Sequence, residues 1–250
     1  MKKLTMYTVT HKPLSFLPDG RTPIFVGPGE NTKGYLTDGT GENISARNKY
    51  YSELTAMYWI WKNDRTSDWV SLEHYRRFFS SGWLPRIIRP QEVRHYFKKY
   101  DVITSKLIGF KKSNNIDASY RVHHIGSDLD ELQSVITKLK PEYLDDYQQV
   151  MASDVSALYN MCMMKKEIFD EYCAWLFPIL FAVEEKIGGE LSERDSYQQR
   201  VYGFLSERLL NVWLRHQKLA VKRLPVYYLN ENTFISVAKT IKHRIFTDMY

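Results

Sequence analysis

The sequence predicts an α/β fold, a mixed sheet flanked by helices with a helical C-terminal part. Three observations predict it. Apolar runs of strand length recur at residues 4–10, 23–26, 69–72, 101–104, 157–164 and 220–229. Between them, apolar residues fall at three- and four-residue spacing, the period of a helix with one buried face. Two of these helical stretches, 166–186 and 195–216, follow one another directly. The 250 residues suit a single domain, and no repeat, low-complexity tract or linker interrupts them.

Taken in order, residues 4–10 form a first strand, and His11, Lys12 and Pro13 turn the chain after it. A short strand at 23–26 is ended by Gly27, Pro28 and Gly29. Asp38, Gly39, Gly41, Glu42 and Asn43 make a turn-rich loop. Asn48 stands as the N-cap of the next helix, with Glu53 in its first turns. Tyr50, Leu54, Met57, Tyr58 and Trp61 give that helix one buried face, and Lys62 and Asn63 close it. Trp69, Val70, Ser71 and Leu72 then read as a strand, with His74, Tyr75, Arg76 and Arg77 at its C-terminal end.

Beyond Phe79 a proline-punctuated loop carries Arg86 and Arg89, and residues 91–99 form a helix. Residues 111–119 are polar, a mobile cover over a site or plain surface. Tyr120 to His124 brings two adjacent histidines, whose side chains diverge too far to share a metal. Helices follow at 128–139 and from Pro141 to about residue 150. Asn160 falls inside the strand at 157–164. The helix at 166–186 has a core stripe of Phe169, Tyr172, Leu176, Leu180 and Val183. In the next helix Arg200, Glu207 and Arg208 interrupt the apolar pattern. A structural salt-bridge network is the default account of them, although Glu207 and Arg208, as neighbours, point to different sides. Pro225 breaks the strand at 220–229, and residues 239–246 are short, basic and amphipathic.

The formal charge of +6 calls for an anionic partner: nucleotide phosphates, an anionic membrane surface or nucleic acid. The basic residues are dispersed and no nucleic-acid-binding motif is visible, so nucleic acid ranks last. Cys162 and Cys173 lie in apolar surroundings and read as buried reduced thiols of a cytoplasmic protein. The N-terminus lacks the apolar run of a signal peptide, and no stretch is long enough to cross a bilayer. Lys239, Lys242, His243 and Arg244 suggest peripheral contact with the inner face of a membrane.

The candidate chemistry sits at residues 74–77. Ligands of open α/β sheets bind beyond the carboxyl ends of the strands. Arg76 and Arg77 there either grip a phosphate or pyrophosphate through their guanidinium forks or pair with nearby carboxylates, with His74 a structural histidine.

Longer stretches carry a resemblance. VTHKP, GYLTDGTGENIS, NKYYSELTAMYWIWKN, HYRRFF, YNMCMMKKEIFDEYCAWLFPIL and RVYGFLSERLL resemble a bacterial family of capsular and exopolysaccharide biosynthesis proteins, long catalogued as a domain of unknown function. The resemblance implies a GT-A-like, Rossmann-like fold and a glycosyltransferase, and the family includes β-galactofuranosyltransferase domains of O-antigen synthesis. It implies a UDP-sugar donor, at best UDP-galactofuranose, and a lipid-linked oligosaccharide acceptor. Asp38, His74, Arg76 and Arg77 are the expected catalytic residues. Thr10, His11, Lys12, Asn43, Tyr75, His123, His124, Asn160, Arg200, Glu207 and Arg208 are the expected sugar-nucleotide contacts.

A GT-A enzyme usually binds its donor through a metal held by Asp-x-Asp, and this sequence has no Asp-x-Asp. Cationic side chains in that place would neutralise the leaving diphosphate directly, so no cofactor is expected to be required. Glu73 with His74 remains an alternative ligand pair for magnesium or manganese. The base is open among Asp38, Glu42, Asp154, Asp195 and Glu207. Two other functional classes stand beside the transferase: a non-catalytic carbohydrate-binding or assembly protein, and a phosphoester hydrolase.

Overall fold

The structure is a computed structural model that describes residues 2–110, 113–230 and 232–245, without the side chains of Thr233, His243, Arg244 and Ile245. Its strands are β1 (Leu4–Thr10), β2 (Arg21–Phe25), β3 (Leu36–Thr37), β4 (Trp69–His74), β5 (Arg77–Ser81), β6 (Arg86–Ile87), β7 (Val102–Ser105), β8 (Ile108–Gly109), β9 (Val155–Ser156), β10 (Cys162–Lys165), β11 (Val221–Leu224) and β12 (Val226–Tyr228). Its helices are α1 (Asn48–Tyr51), α2 (Leu54–Asn63), α3 (Pro90–Tyr96), α4 (Ile116–His123), α5 (Ser127–Leu139), α6 (Leu144–Ala152), α7 (Lys166–Ile187), α8 (Val201–Gln217) and α9 (Thr233–Ile245).

The sheet runs β11-β7-β10-β4-β1-β2-β3. β1 has parallel partners on both sides, β2 and β4, which explains why Met6 to Thr10 are all buried. β10 enters antiparallel between β4 and β7, so the sheet is mixed as expected. β5 folds back from β4 at the pair His74–Arg77 and carries β12 and β6. A separate ribbon joins β8 and β9.

The core lies between the sheet and its helices. Trp61 of α2 stacks on Phe177 of α7 with ring centroids 5.7 Å apart, and Tyr58 meets the same ring edge-on at 4.9 Å. That packing holds α7 helical through Pro178, which lacks the amide for an intrahelical bond.

Several boundaries differ from expectation. The helix assigned to Asn48 onward is two helices, broken at Ser52, whose φ is +51°. Asn48 is therefore not an N-cap. Its amide bridges the break, donating to the Ser52 carbonyl at 2.8 Å and to Thr55 Oγ1 at 3.0 Å. His74 belongs to β4, and after a turn at Tyr75 and Arg76 the chain returns as β5, which runs to Ser81, beyond the Phe79 after which a loop was expected. The polar stretch at 111–119 contains the start of α4, capped by Asn115 Oδ1 accepting from the Ala118 amide, while Lys111 and Lys112 lie outside the described residues. Asn160 precedes β10 instead of lying in it, because Tyr159 (φ +81°) and Asn160 (φ +52°) are left-handed and cannot continue a strand. α8 starts at Val201. Asp195 sits upstream, its Oδ1 accepting from the amides of Tyr197 and Gln198.

One buried ion pair fixes the sheet around residue 74. Arg21 Nε donates to Glu73 Oε2 at 3.0 Å, and Glu73 Oε1 accepts from the Phe79 amide at 2.8 Å, with both side chains almost wholly buried. Glu73 is thus turned into the sheet and engaged by Arg21 and the Phe79 amide. Removing one member of such a pair strands the other charge. Arg21→Ala is expected to cost about 3–5 kcal/mol, read as a lower urea midpoint at an unchanged slope. A loss under about 1 kcal/mol would show that the pair is dispensable.

Candidate functional site

A cleft of about 1730 Å³ opens where β1 and β4 end. The first wall is the turn after β1. Thr10 Oγ1 donates to the Lys12 carbonyl at 2.7 Å, which shapes the turn. Gly29 lies so close that a Cβ there would stand 2.6 Å from the His11 carbonyl, so only glycine allows this approach. The second wall is the β4–β5 turn. Its Tyr75 amide donates to the Val9 carbonyl at 3.0 Å, tying it to β1. The His11 ring meets Tyr75 edge-on at 5.1 Å, Arg76 lies over Tyr75 at 5.1 Å and Arg77 over Tyr159 at 4.6 Å. The third wall comes from the helix break and α8: Arg200 Nε donates to Ser52 Oγ at 3.0 Å.

Lys12, Lys49, Arg76, Arg77 and Arg200 line this cleft and form no salt bridge among the described residues. Glu53 is the only carboxylate among the described lining residues. It stands directly after the strained Ser52, and Asn160 Nδ2 donates to its Oε1 at 2.7 Å. Asn160 is itself held, its Nδ2 reaching the Gly203 carbonyl at 3.0 Å and its Oδ1 accepting from Ser206 Oγ at 2.8 Å. Three of the five non-glycine residues with positive φ among the described residues, Ser52, Tyr159 and Asn160, meet here, and such strain concentrates at sites of function.

Burial pulls the His74 imidazole below its usual pKa; Glu53 opposes the shift, while Arg77 and Arg200 add to it. One ring nitrogen donates to the Tyr159 carbonyl, and Nε2 is buried with no hydrogen-bond partner. Burial also lowers His11, reinforced by Lys12, Arg76 and Arg200, which places these cations around one point. The arrangement offers fixed positive charge, a neutral imidazole and one oriented carboxylate. Among the described residues no group of three or more His, Cys, Asp or Glu is placed to hold a metal ion.

Of the residues singled out from sequence, His11, Lys12, His74, Tyr75, Arg76, Arg77 and Arg200 are brought together in the cleft lining. Asn160 stands just behind the lining, bonded to Glu53. The rest lie elsewhere. Thr10 stands beneath its turn. Asp38 is buried behind the cleft, near Thr55. Asn43 organises its own loop, accepting from the Ser45 amide and donating to the Gly41 carbonyl. His124 packs against Phe204 at 4.2 Å and Tyr197 at 5.6 Å, and the His123 carbonyl accepts from Gln198. Glu207 accepts from the Tyr159 amide at 2.9 Å and pairs with Arg208, also at 2.9 Å. Those two neighbours were expected to diverge. They meet because Arg208 runs back along α8 to the Phe204 carbonyl, past the Glu207 carboxylate.

Sequence reasoning missed Glu53 as a site residue, along with Ser52 and Asn48. Tyr51 and Leu54 keep helical spacing across the break, so periodicity carries no sign of it. Of the other candidate bases, Glu42 is exposed and bonded to Lys62 and Tyr58, and Asp154 is exposed.

The family described as "Domain of unknown function (DUF4422)" matches residues 5–218. Among solved structures, the chain is similar to the apo structure of the WbbM bifunctional glycosyltransferase, at 27% identity and a TM-score of 0.80. The match covers 92% of this chain and 46% of that one, so the chain spans less than half the length of its structural relative. No curated protein matches it.

Asp38 provides a test of the buried architecture behind the cleft. Burial raises its pKa, a Thr55 hydrogen bond opposes the shift, and its Oδ2 has no hydrogen-bond partner. A raised folded-state pKa means that its favourable contribution is complete below the unfolded value near 3.8 and is lost as pH climbs through the folded value. Asp38→Asn is therefore expected to gain stability relative to the parent between pH 4 and pH 7, measured by urea unfolding at both. A difference that stays constant with pH would contradict the assignment.

Proposed function

The chain belongs to the DUF4422 family, and from its cationic cleft and its likeness to a bifunctional glycosyltransferase we propose that it is a glycosyltransferase using a nucleotide-sugar donor. The observation that carries this reading is the convergence of Lys12, Arg76, Arg77 and Arg200 around one oriented carboxylate at the carboxyl ends of parallel strands. Fixed cations of this kind bind a diphosphate and gain strength as its bond to the sugar breaks and negative charge develops on it.

Glu53 is the proposed base. The acceptor hydroxyl attacks the anomeric carbon, its proton passes to Glu53, and the nucleoside diphosphate departs from the opposite face, inverting the anomeric centre. Asn160 holds Oε1 of Glu53, which leaves Oε2 to receive the proton. His74, neutral at physiological pH, offers Nε2 to a sugar or acceptor hydroxyl.

The finer assignment follows the sequence resemblance: galactofuranose from UDP-galactofuranose, delivered to a lipid-linked glycan of a capsule, exopolysaccharide or O-antigen. Glu73 is committed to Arg21, and cations stand at the strand end where a metal-binding carboxylate is usual. Both support turnover without a divalent metal.

UDP is expected to raise the melting temperature. Arg77→Ala should weaken UDP binding by about 1.5–3 kcal/mol by calorimetry, the range for hydrogen bonds to charged groups. Unchanged affinity in Arg76→Ala, Arg77→Ala and the double variant would remove the diphosphate assignment.

The reaction is tested with UDP-galactofuranose, UDP-galactose and UDP-glucose, a galactose-terminated lipid-linked acceptor, and EDTA or added manganese. Transfer should survive EDTA, and Glu53→Gln should lower kcat by about 10²–10⁴ while leaving donor KM nearly unchanged. Strict manganese dependence would reject the role given to the cations. Transfer from a pyranose donor alone would replace the sugar and keep the class. UDP binding without transfer would point to a binding module.

A further inference from the structure

α9 is turned inside out. Among its described side chains the fully buried ones are polar, Ser236 and Thr240, each 0% exposed. They hold the helix by hydrogen bonds: Ser236 Oγ accepts from the Asn230 amide at 2.7 Å, and Thr240 Oγ1 accepts from the Tyr228 amide at 3.1 Å. On the opposite side of the helical wheel stand Phe234, Ala238 and Ile241. Phe234 is 87% exposed, and Ile235 and Ile241 are exposed too. Lys242 borders this apolar stripe and Lys239 stands further round the same side, toward the cleft; both are exposed. A surface helix of a water-soluble domain normally buries its apolar stripe.

A second exposed apolar group belongs to the same cleft. Trp83, 92% exposed, and Leu84 directly precede Pro85, Arg86 and Ile87, which line the cleft together with Val237 and Lys239 of α9. Phe16, also exposed, lines it from the β1 side. Exposed apolar side chains thus stand around the mouth of a cationic cleft.

We infer that the outer face of α9, with the Trp83–Leu84 turn as a second anchor, is a docking surface for an anionic lipid bilayer. Charge decides the occupant. Lysines beside an outward apolar stripe are the pattern of helices that lie in a membrane interface, and an exposed Trp is the preferred anchor at headgroup depth. A face of two or three turns is small against the area that a stable protein dimer buries, so a second copy is the poorer fit. The inference deepens the transferase reading by placing the cleft mouth where a lipid-linked acceptor would be met. Vesicle binding is read without donor or transfer, so it can fail while UDP binding stands, or hold while UDP binding fails.

The test is co-sedimentation of the full chain with vesicles of phosphatidylglycerol and phosphatidylcholine, against vesicles of phosphatidylcholine alone, at low and high salt. Binding to the anionic vesicles is expected to be at least about tenfold tighter and to weaken with salt. Phe234→Ser/Ile241→Ser should lose most of it, and Trp83→Ala/Leu84→Ser a smaller part. Because Phe234 and Ile241 face solvent, UDP affinity and melting temperature of Phe234→Ser/Ile241→Ser should match the parent. Lys242→Glu should weaken anionic binding without touching the apolar stripe. Equal sedimentation with both vesicle types, or parent-like binding by Phe234→Ser/Ile241→Ser, would overturn the inference. So would concentration-dependent dimers abolished by that variant in the absence of vesicle binding.

Discussion

Glu73 is the residue on which the arrangement around the cleft depends. It lies in β4 beside His74, and its two oxygens are used inside the sheet, one by Arg21 of β2 and one by the Phe79 amide of β5. The pair therefore joins three strands and sets where β4 ends and β5 begins. It also consumes the carboxylate nearest the arginines. With Glu73 engaged on the inner side, Arg76 and Arg77 extend beyond the strand end with no acidic neighbour from the sheet to neutralise them. A buried ion pair contributes little net stability, but it makes any other position of the β4–β5 turn expensive.

The same economy holds across the molecule. Asp128 binds Arg194, Asp117 and Asp130 bind Arg121, and Asp101 binds Lys165, so much of the acidic complement is matched locally. Lys12, Arg76, Arg77 and Arg200 are not matched in this way. Aromatic rings support all four, Tyr75 under Lys12 and Arg76, Tyr159 under Arg77 and Phe204 under Arg200. A ring face steadies a guanidinium without cancelling its charge. Mutually repelling cations can then be held in place while their field stays directed into the cleft. Ser52 and Asn160 supply the complementary part, since strained backbone at two separate chain segments brings one carboxylate among them.

The sheet and its helices were largely legible in the sequence, because β1, β4, α5 and α7 each announce themselves by length and apolar period. The cationic half of the cleft was legible as well, since Arg76 and Arg77 follow directly on a recognisable strand. Glu53 was not, because the break at Ser52 leaves the apolar rhythm of Tyr51 and Leu54 undisturbed. Asn160 was noticed but misplaced: Cys162 to Met164 look like a strand that simply begins earlier, and Asn160 itself, an asparagine that tolerates the left-handed region, is a weaker turn signal than glycine. The outward stripe of α9 was hidden for a different reason. Periodicity shows that a helix has an apolar side, and only the packed structure shows which side faces inward.

The strand order also constrains how the chain reaches this state. β4, near the middle of the sheet, is flanked by β1 and by β10, so Leu72 finds one neighbour at Tyr7 and the other at Cys162. β7 likewise waits for β11, with Val102 opposite Val221. Pairings this distant in sequence close large loops before they return any energy, which slows folding. During synthesis β1, β2 and β4 can assemble early, yet one edge of β4 stays open until residue 165 has emerged. Over that interval an apolar strand edge is exposed to other chains. The topology thus makes the folding of this chain depend on how promptly β10 and α7 arrive to cover that edge.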